Sequence, residues 1–139
     1  MIPEFLYRPA RDDDYGFVLN SWLKSYYNTA IIKPHINRGI FFRNEAKIVN
    51  KLIREDSITI ACNPEDDTHI FGYICYRVDP QVMHYVYMKQ PFRRIGIAGG
   101  LLSSSLSGKD IDVTYHTPRL KRLNNWYKFT YNPYLKEKL

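Results

Sequence analysis

The chain has 139 residues, of which 45% are hydrophobic and 15% are aromatic. That length favours a single domain spanning residues 1–139, and so much apolar side chain excludes an intrinsically disordered protein. The formal net charge is +6, which attracts acidic proteins, nucleic acids and phosphate-bearing cofactors. The basic residues concentrate in PRLKRLNNWYK, residues 118–128. The simplest interpretation of that run is a solvent-exposed helix face.

Membrane and metal proteins are not expected. No apolar run approaches the roughly 18 residues of a membrane span, and the N-terminal MIPEFLYRPARDDD has no signal-peptide core. Cys62 and Cys75 are the only cysteines and lie in predicted strands. We therefore expect a reduced, cytoplasmic protein with two free buried thiols. No spacing of cysteine and histidine resembles a zinc site, so no metal is expected.

The N-terminal region predicts a short strand and then an amphipathic helix. EFLYRPA (residues 4–10) is typical of a strand that Pro9 ends. Asp12 or Asp13 can then cap the helix. The apolar positions that follow repeat at helical spacing and define one buried face: Tyr15, Val18, Leu19, Trp22, Leu23 and Tyr26.

A second helix is predicted after a long irregular segment. Residues 27–43 show no sustained period, and we expect a loop that carries a short helical turn. Asn44 is the expected N-cap of a helix that runs through Asp56. The buried side of this helix is predicted from its apolar spacing: Ile48, Val49, Leu52 and Ile53.

Three strands joined by short turns come next. SITIAC (57–62), HIFGYICYRV (69–78) and QVMHYVYMK (81–89) are rich in β-branched and aromatic residues, which predicts an antiparallel meander. A third helix follows, and we expect it to end at Gly108. Its apolar side is predicted from three leucines: Leu101, Leu102 and Leu106.

The C-terminal region predicts a further strand and helix. DIDVTYH (110–116) should place Ile111, Val113 and Tyr115 on one face and run parallel to QVMHYVYMK, because it follows a strand–helix unit. Thr117 and Pro118 predict a helix start. One face of that helix would carry Leu120, Leu123 and Tyr127. The tail TYNPYLKEKL adds at most a short strand. The order predicts an α/β domain with a mixed, mostly antiparallel central sheet and flanking helices.

The stretch QPFRRIGIAGGLL (90–102) joins the meander to the third helix. The first turn of a helix has unpartnered amides and a partial positive charge, and both favour a bound anion. Gly96, Ala98, Gly99 and Gly100 would let a diphosphate reach those amides, and the preceding arginines add planar donors. The alternative is that small residues merely let the helix pack close to the sheet. Neither the Gly-x-Gly-x-x-Gly fingerprint nor a P-loop fits.

Arg93-x-x-Gly96-x-Ala98 resembles the Arg/Gln-x-x-Gly-x-Gly/Ala motif of the GNAT superfamily, the acyl-CoA-dependent N-acyltransferases. Pro91 stands two residues before the arginine, as it often does in that family. LYRPARDDD (6–14) resembles the family's first strand and turn, and the element order matches over most of the chain. More loosely, DDDYGFVLNSWLKSYY (12–27) resembles small bacteriophage-encoded members. The resemblance implies a sheet whose fourth and fifth strands splay apart around coenzyme A.

The resemblance also implies acetyl-CoA as the cofactor. Backbone groups of Met88 and Lys89 would contact the pantetheine arm, and a strand amide there would polarise the thioester carbonyl. The pyrophosphate would sit on the amides from Arg94 through Gly99. The cofactor-binding residues implied are these: Met88, Lys89, Arg93, Arg94, Ile95, Gly96, Ile97, Ala98 and Gly99.

The reaction implied is direct attack of an acceptor amine on the acetyl carbonyl. Tyr127 is the nearest match to the family's acid, although no Gly-Phe follows it in WYKFTY, and packing is the alternative role. No glutamate lies on the candidate strands to serve as base. His84, His116 and Asp112 are substitutes, and each is otherwise a satisfied strand residue. Of these we select His84, with Tyr127, as the predicted catalytic pair.

The acceptor side is expected to be open. Typical members continue into two more strands that wall it, whereas about a dozen residues follow Tyr127 here. A partner protomer in a homodimer or a large protein acceptor would then complete the site, bordered by the acidic N-terminal turn, residues 27–43 and the tail. This favours a protein acceptor over a small amine.

Two other functions compete with the acetyltransferase. A GNAT-like CoA-binding module would bind and modulate a partner protein, a host protein if the chain is viral, with little or no catalysis. Nucleic-acid binding through the basic, aromatic C-terminus is the weakest alternative.

Overall fold

The computed structural model describes residues 5–29, 31–93 and 96–137. Short 3-10 turns at residues 12–14, 90–92 and 133–136 join regular elements. Those elements follow one another as β1 (Leu6–Pro9), α1 (Tyr15–Tyr27), α2 (Arg38–Glu55), β2 (Ser57–Asn63), β3 (Asp66–Arg77), β4 (Val82–Met88), α3 (Ile97–Ser105), β5 (Asp110–Val113), α4 (Arg119–Leu123) and β6 (Lys128–Tyr131). The predicted order is confirmed, and β6 adds a strand that begins before the tail segment.

The strands form one sheet in which spatial order equals chain order, β1 to β6. Strands β2 to β4 pair antiparallel, which confirms the predicted meander, and β1 pairs antiparallel with β2 at its edge. Strand β5 pairs parallel with β4, as the intervening helix α3 requires, and β6 pairs parallel with β5. The sheet is therefore mixed, and its parallel part lies at the edge that follows α3.

Helices cover both faces of the sheet and give it two cores. Under α1 and α2 the core is aromatic: the Trp22 ring stacks on Tyr85 with centroids 4.9 Å apart, and Tyr26 meets Tyr115 edge-on at the same distance. Under α3 and α4 the core is mainly aliphatic. Its largest fully buried members come from the sheet and from α3: Ile74, Met83, Ile97, Leu101, Leu102 and Ile111.

Helix α2 begins earlier than its sequence suggests. Asn37 caps it, because its side-chain oxygen accepts a hydrogen bond from the Ile40 amide at 3.2 Å. The prediction that Asn44 is the cap was wrong: Asn44 lies inside the helix, and its Nδ2 donates to the Ile40 carbonyl at 2.8 Å. The earlier start brings Phe41 into the aromatic core, while the predicted core residue Ile48 is exposed.

The acidic turn before α1 is anchored by Asp14 rather than by Asp12 or Asp13. The buried Asp14 carboxylate accepts hydrogen bonds from Arg8 Nη1 and from the Arg11 amide, both at 2.7 Å. Burial would raise the pKa of Asp14, but these hydrogen bonds and the Arg8 charge outweigh it and hold that pKa below its ordinary value. The turn therefore fastens β1 to the start of α1.

Other predicted boundaries also shift. Helix α3 ends at Ser105, so Gly108, with φ of 73°, shapes the turn before β5 rather than the helix end. Strand β5 stops at Val113, and Tyr115 then packs in the aromatic core, away from the core that holds Ile111. Cys62 and Cys75 are free and buried, as expected. In the part of the chain described, no helix is long and apolar enough to cross a membrane.

Candidate active site

Strands β4 and β5 separate soon after they meet. They pair only at Val82 with Asp112 and at Met83 with Val113, although β4 continues to Met88. The β3–β4 register skips His84, which marks a bulge at that position. A bulge bends its strand and increases the local twist. The second half of β4 therefore leaves β5 and opens a gap, which confirms the splayed sheet.

Backbone groups of β4 face this gap. The Lys89 amide donates to the Phe71 carbonyl on β3 at 2.8 Å, and orientation alternates along an antiparallel pair. Val86 and Met88 consequently turn their amides and carbonyls away from β3. The Val86 carbonyl accepts from Arg119 Nη1 at 2.9 Å and the Met88 carbonyl from Arg93 Nε at 3.3 Å. Arginines thus use the acceptors of the gap, while the two amides remain directed into it.

Lys89 does not offer backbone groups in the way the sequence suggested. Its amide bonds Phe71, and its carbonyl accepts from the Phe92 amide at 2.9 Å. Its ammonium lies 5.1 Å from the centre of the Phe17 ring on α1. Lys89 is therefore a side-chain contact on the α1 side of β4, and Met88 and Val86 are the residues with amides toward the gap.

The start of α3 lies beside the gap. Gly96 has φ of 87°, a left-handed conformation that favours glycine, and precedes the helix. The first intrahelical hydrogen bond runs from the Gly100 amide to the Gly96 carbonyl at 3.1 Å. The amides of Ile97, Ala98 and Gly99 come before that bond and have no partner within the helix. Together with the helix dipole they make this end attractive to an anion.

The glycines of α3 have two separate roles. A β-carbon on Gly99 would meet nothing within 4 Å among the described residues, so this position leaves the first turn open. A β-carbon on Gly100 would overlap the Tyr7 hydroxyl and lie 2.8 Å from the ring carbon that bears it. Gly100 therefore allows close packing of α3 on β1, and Gly99 provides the clearance. The packing interpretation is therefore confirmed at Gly100, whereas the diphosphate interpretation stays a prediction for which Gly99 leaves room.

A cavity of about 460 Å³ joins the start of α3 to the region after α4. It is lined by the following residues: Met88, Phe92, Arg93, Gly96, Ile97, Ala98, Gly99, Arg119, Arg122, Leu123, Trp126 and Tyr127. The predicted cofactor residues Arg94 and Ile95 lie outside the described residues. The lining is apolar apart from its arginines and Tyr127. Among the described residues no carboxylate lines it.

Arg119, Arg122 and Trp126 were not predicted to belong to the site. The sequence shows them as part of a basic run that an exposed helix face could explain. Their position follows from the short α4 and the parallel pairing of β6 with β5, which bring the run against the gap. Arg119 is partly buried, its guanidinium lies 5.6 Å from the Tyr87 ring centre, and burial lowers its pKa below the usual value. An arginine remains charged at neutral pH.

Beyond Arg119 the gap opens onto a groove that we call the α1 groove. It comprises two adjoining concavities of about 500 and 440 Å³, which share Ser25, Asn28 and Arg93. Its walls are one side of α1 with the residues just after that helix, β4 and the start of α4. The lining side chains are Phe17, Asn20, Ser21, Lys24, Ser25, Asn28, Thr29, Tyr85, Tyr87, Arg93, Thr117, Pro118, Arg119 and Arg122.

Solved structures of other proteins share this architecture. A candidate acetyltransferase from Clostridium difficile 630 matches with a TM-score of 0.56 and 16% identity, over 92% of this chain and 93% of that one. A candidate acetyltransferase from Pyrococcus furiosus matches with a TM-score of 0.58 and 14% identity, over 96% of this chain and 88% of that one. A candidate acetyltransferase from Bacillus subtilis matches with a TM-score of 0.59 and 12% identity, over 93% of this chain and 81% of that one.

The chain has the GNAT fold. No protein-family model matches the sequence, and no curated protein matches it significantly. The likeness at these identities is one of fold. What the site does must therefore be argued from its own residues.

Tyr127 lies in the cavity of this GNAT fold but not on a helix. Helix α4 ends at Leu123, and the predicted longer helix was wrong. The Tyr127 amide still donates to the Leu123 carbonyl at 3.0 Å, and its ring stacks on Phe129 with centroids 6.0 Å apart. The residue is partly buried. It therefore contacts both the apolar core and the cavity.

His84 lies in a buried hydrogen-bond network and lines neither the cavity nor the α1 groove. Its Nε2 is 2.6 Å from Asp56 Oδ2 and its Nδ1 is 2.8 Å from Thr114 Oγ1. Arg77 donates to both oxygens of the same carboxylate, at 3.2 and 3.1 Å. The ring is 1% exposed. His84 therefore joins the C-cap of α2, strand β3 and the residue after β5 at the bulge, and we assign it no catalytic role.

The pKa values in this network follow from burial and pairing. Burial lowers the pKa of His84, and the hydrogen bond to Asp56 offsets only part of that effect. For Asp56, burial acts to raise the pKa, but hydrogen bonds from Arg77 and His84 outweigh it and the pKa is lowered. His116 and Asp112, the other sequence-based candidates for a base, are exposed and line none of the three concavities.

Proposed function

We propose that the protein is an N-acetyltransferase that binds acetyl-CoA in the cavity and acetylates an amine of a protein presented from the α1 groove. The observation that supports this most is that one cavity joins the first turn of α3, three arginines and Tyr127 beside the splayed end of β4. The fold of the solved acetyltransferases agrees with the proposal.

The cavity residues fit coenzyme A chemically. The amides of Ile97, Ala98 and Gly99 are donors for a diphosphate, and the open position at Gly99 leaves the approach free. Arg93 and Arg122 supply fixed positive charge. The apolar lining residues Met88, Phe92, Leu123 and Trp126 suit an uncharged pantetheine arm.

The reaction would use backbone and side-chain groups of this chain around an activated acetyl group, which acetyl-CoA supplies as a thioester. The amides of Met88 and Val86 point into the gap and can donate to a carbonyl oxygen placed there. The Tyr127 hydroxyl lies at the same cavity and would protonate the thiolate that leaves as the N–C bond forms and the C–S bond breaks. Holding both reactants on opposite sides of β4 gives the benefit of proximity.

We assign deprotonation of the acceptor amine to the positive charge of the side chains that line the groove. No carboxylate or imidazole lines the cavity or the α1 groove within the described residues. A lysine ammonium has an ordinary pKa of about 10.4, and nearby cations lower it. Lys24, Arg93, Arg119 and Arg122 line the groove. Their charge would favour the neutral amine, whose proton leaves to water.

Since no carboxylate or imidazole among the described residues lines the site, a second candidate function is also favoured, a CoA-binding module that modulates a partner protein. The two differ in one outcome. We would incubate the protein with acetyl-CoA and a mixture of lysine-containing peptides, and follow free thiol release and peptide mass. The acetyltransferase predicts both, and Arg93→Glu should abolish both. Coenzyme A binding without any acetylated peptide would decide for the binding module.

A further inference from the structure

The α1 groove is lined by one sign of charge. No aspartate or glutamate lines it among the described residues. Its ionised side chains are all basic: Lys24, Arg93, Arg119 and Arg122. Within the same part of the chain, none of these four forms an ion pair. Their charge is therefore available to a ligand.

One of these basic residues, Lys24, belongs to the groove and not to the cavity. Lys24 lines only the concavity beside α1, and the Lys89 ammonium lies over Phe17, which lines the same concavity. A diphosphate at the start of α3 would engage the arginines that both spaces share. Lys24 would still face a ligand in the groove, and the Lys89 ammonium lies nearby over Phe17, so the groove stays positive when coenzyme A is bound.

The aromatic rings of the groove favour a peptide over nucleic acid. Tyr85 is stacked on Trp22 at 4.9 Å and Tyr87 on Tyr73 at 5.4 Å, so each ring already uses one face within the protein. The Tyr85 hydroxyl is hydrogen-bonded to Ser25 Oγ at 2.6 Å. Nucleic-acid sites that lack base-specific contacts rely on free aromatic faces for stacking. The exposed Trp126 and Tyr134 do not line the groove.

We infer that the α1 groove binds an acidic polypeptide segment, so that the acetylated amine lies next to aspartate or glutamate residues. Complementary charge would bring such a segment to the groove and hold it against the basic walls. The Asn28 side chain can bond its backbone, and the Ser25 and Thr29 hydroxyls, which donate to carbonyls of α1, can still accept from it. The inference rests on the proposed function for the role of the amine, but not for the binding of the segment.

The test uses three peptides of equal length with one lysine and blocked termini, the lysine flanked by glutamates, serines or arginines. We expect kcat/KM for acetylation to be at least tenfold higher for the acidic peptide than for the neutral one, and the difference to shrink in high salt. Equal rates, or a preference for the basic peptide, would overturn the inference while leaving the acetyltransferase in place.

Binding is measured separately, so that loss of catalysis does not confuse the result. A labelled acidic peptide without lysine should bind the wild-type protein in fluorescence anisotropy. Lys24→Glu should weaken that binding about tenfold, and Lys121→Glu, the same change at an exposed α4 residue outside the groove, should not. Equal effects of the two variants, or tighter binding of a single-stranded RNA of the same charge, would contradict the inference. Peptide binding without any acetylation would contradict only the proposed function.

Discussion

The hydroxyl of Tyr7 on β1 occupies the space that a β-carbon on Gly100 of α3 would need. This contact sets the distance between the helix and the sheet edge in the layer that also carries the candidate cofactor site. It explains one glycine of the motif by packing alone. The neighbouring Gly99 has no such contact among the described residues, so a substitution there tests binding rather than packing.

Gly100→Ala is expected to lower the free energy of unfolding. Overpacking costs about 1–3 kcal/mol, and the better helix propensity of alanine returns at most about 1 kcal/mol. Tyr7→Phe removes the overlapping hydroxyl and should restore part of the loss in the double variant. Urea denaturation of the two single variants and the double variant measures the coupling. Strictly additive effects would show that the contact does not limit the packing.

Stability should depend on pH through the buried network of His84 and Asp56. Both groups have folded-state pKa values below their ordinary ones, so the unfolded chain binds more protons as the pH falls. We expect the free energy of unfolding to decrease as the pH drops below about 6.5 because of His84. A second decrease should follow below about pH 4, because Asp56 is then protonated in the unfolded chain and at lower pH in the folded one.

The matched variants for this prediction are His84→Gln and His35→Gln. The first should lower stability at neutral pH, because Asp56 loses a hydrogen bond, and should also flatten the pH dependence between about pH 5 and pH 7. His35 is exposed, and its replacement should leave the slope unchanged. Thermal denaturation across that range would contradict the account if both variants kept the wild-type slope.

Tyr127→Phe should slow turnover more than it weakens cofactor binding. The hydroxyl is proposed to act on the leaving thiolate, whereas the ring packs on Phe129 with or without it. We expect at least a tenfold fall in kcat and less than a threefold change in the Kd for coenzyme A. Steady-state kinetics with an acidic peptide, together with calorimetry, measure both. Equal losses in the two quantities would place Tyr127 among the packing residues.

The sequence predicted the fold better than it predicted where individual helices and strands begin and end. Periodicity identified each strand of the meander and both faces of α1, because those residues lie directly against a core. The start of α2 was missed because Asn37 and Asn44 are equally good caps by type, and only the burial of Phe41 distinguishes them. Tyr115 was predicted on the same face as Ile111 and Val113, because the alternating pattern continues to it. Strand β5 ends at Val113, and the pattern gives no sign of that end.

The site was predictable where it depends on local sequence. The open first turn of α3 follows from its glycines and lies where the motif placed it. The roles of Arg119 and Arg122 depend on how β5 and β6 pair, and that is a tertiary property. His84 was considered a base from its residue type, but its partners Asp56 and Thr114 are distant in sequence and became visible only in the structure.

The most direct test of the account is calorimetric titration of coenzyme A into the wild-type protein and into Gly99→Asp. An aspartate in the first turn of a helix favours the helix dipole, so the variant should fold at least as well as the wild type. The same carboxylate would repel a diphosphate at the amides of Ile97 and Ala98.

Gly16→Asp makes the same substitution in the first turn of α1, at another position where a β-carbon meets nothing within 4 Å among the described residues. We predict binding by the wild type and by Gly16→Asp, and at least a hundredfold weaker binding by Gly99→Asp. Equal affinity in all three proteins, or no binding by the wild type, would contradict the assignment of the α3 first turn as the diphosphate site.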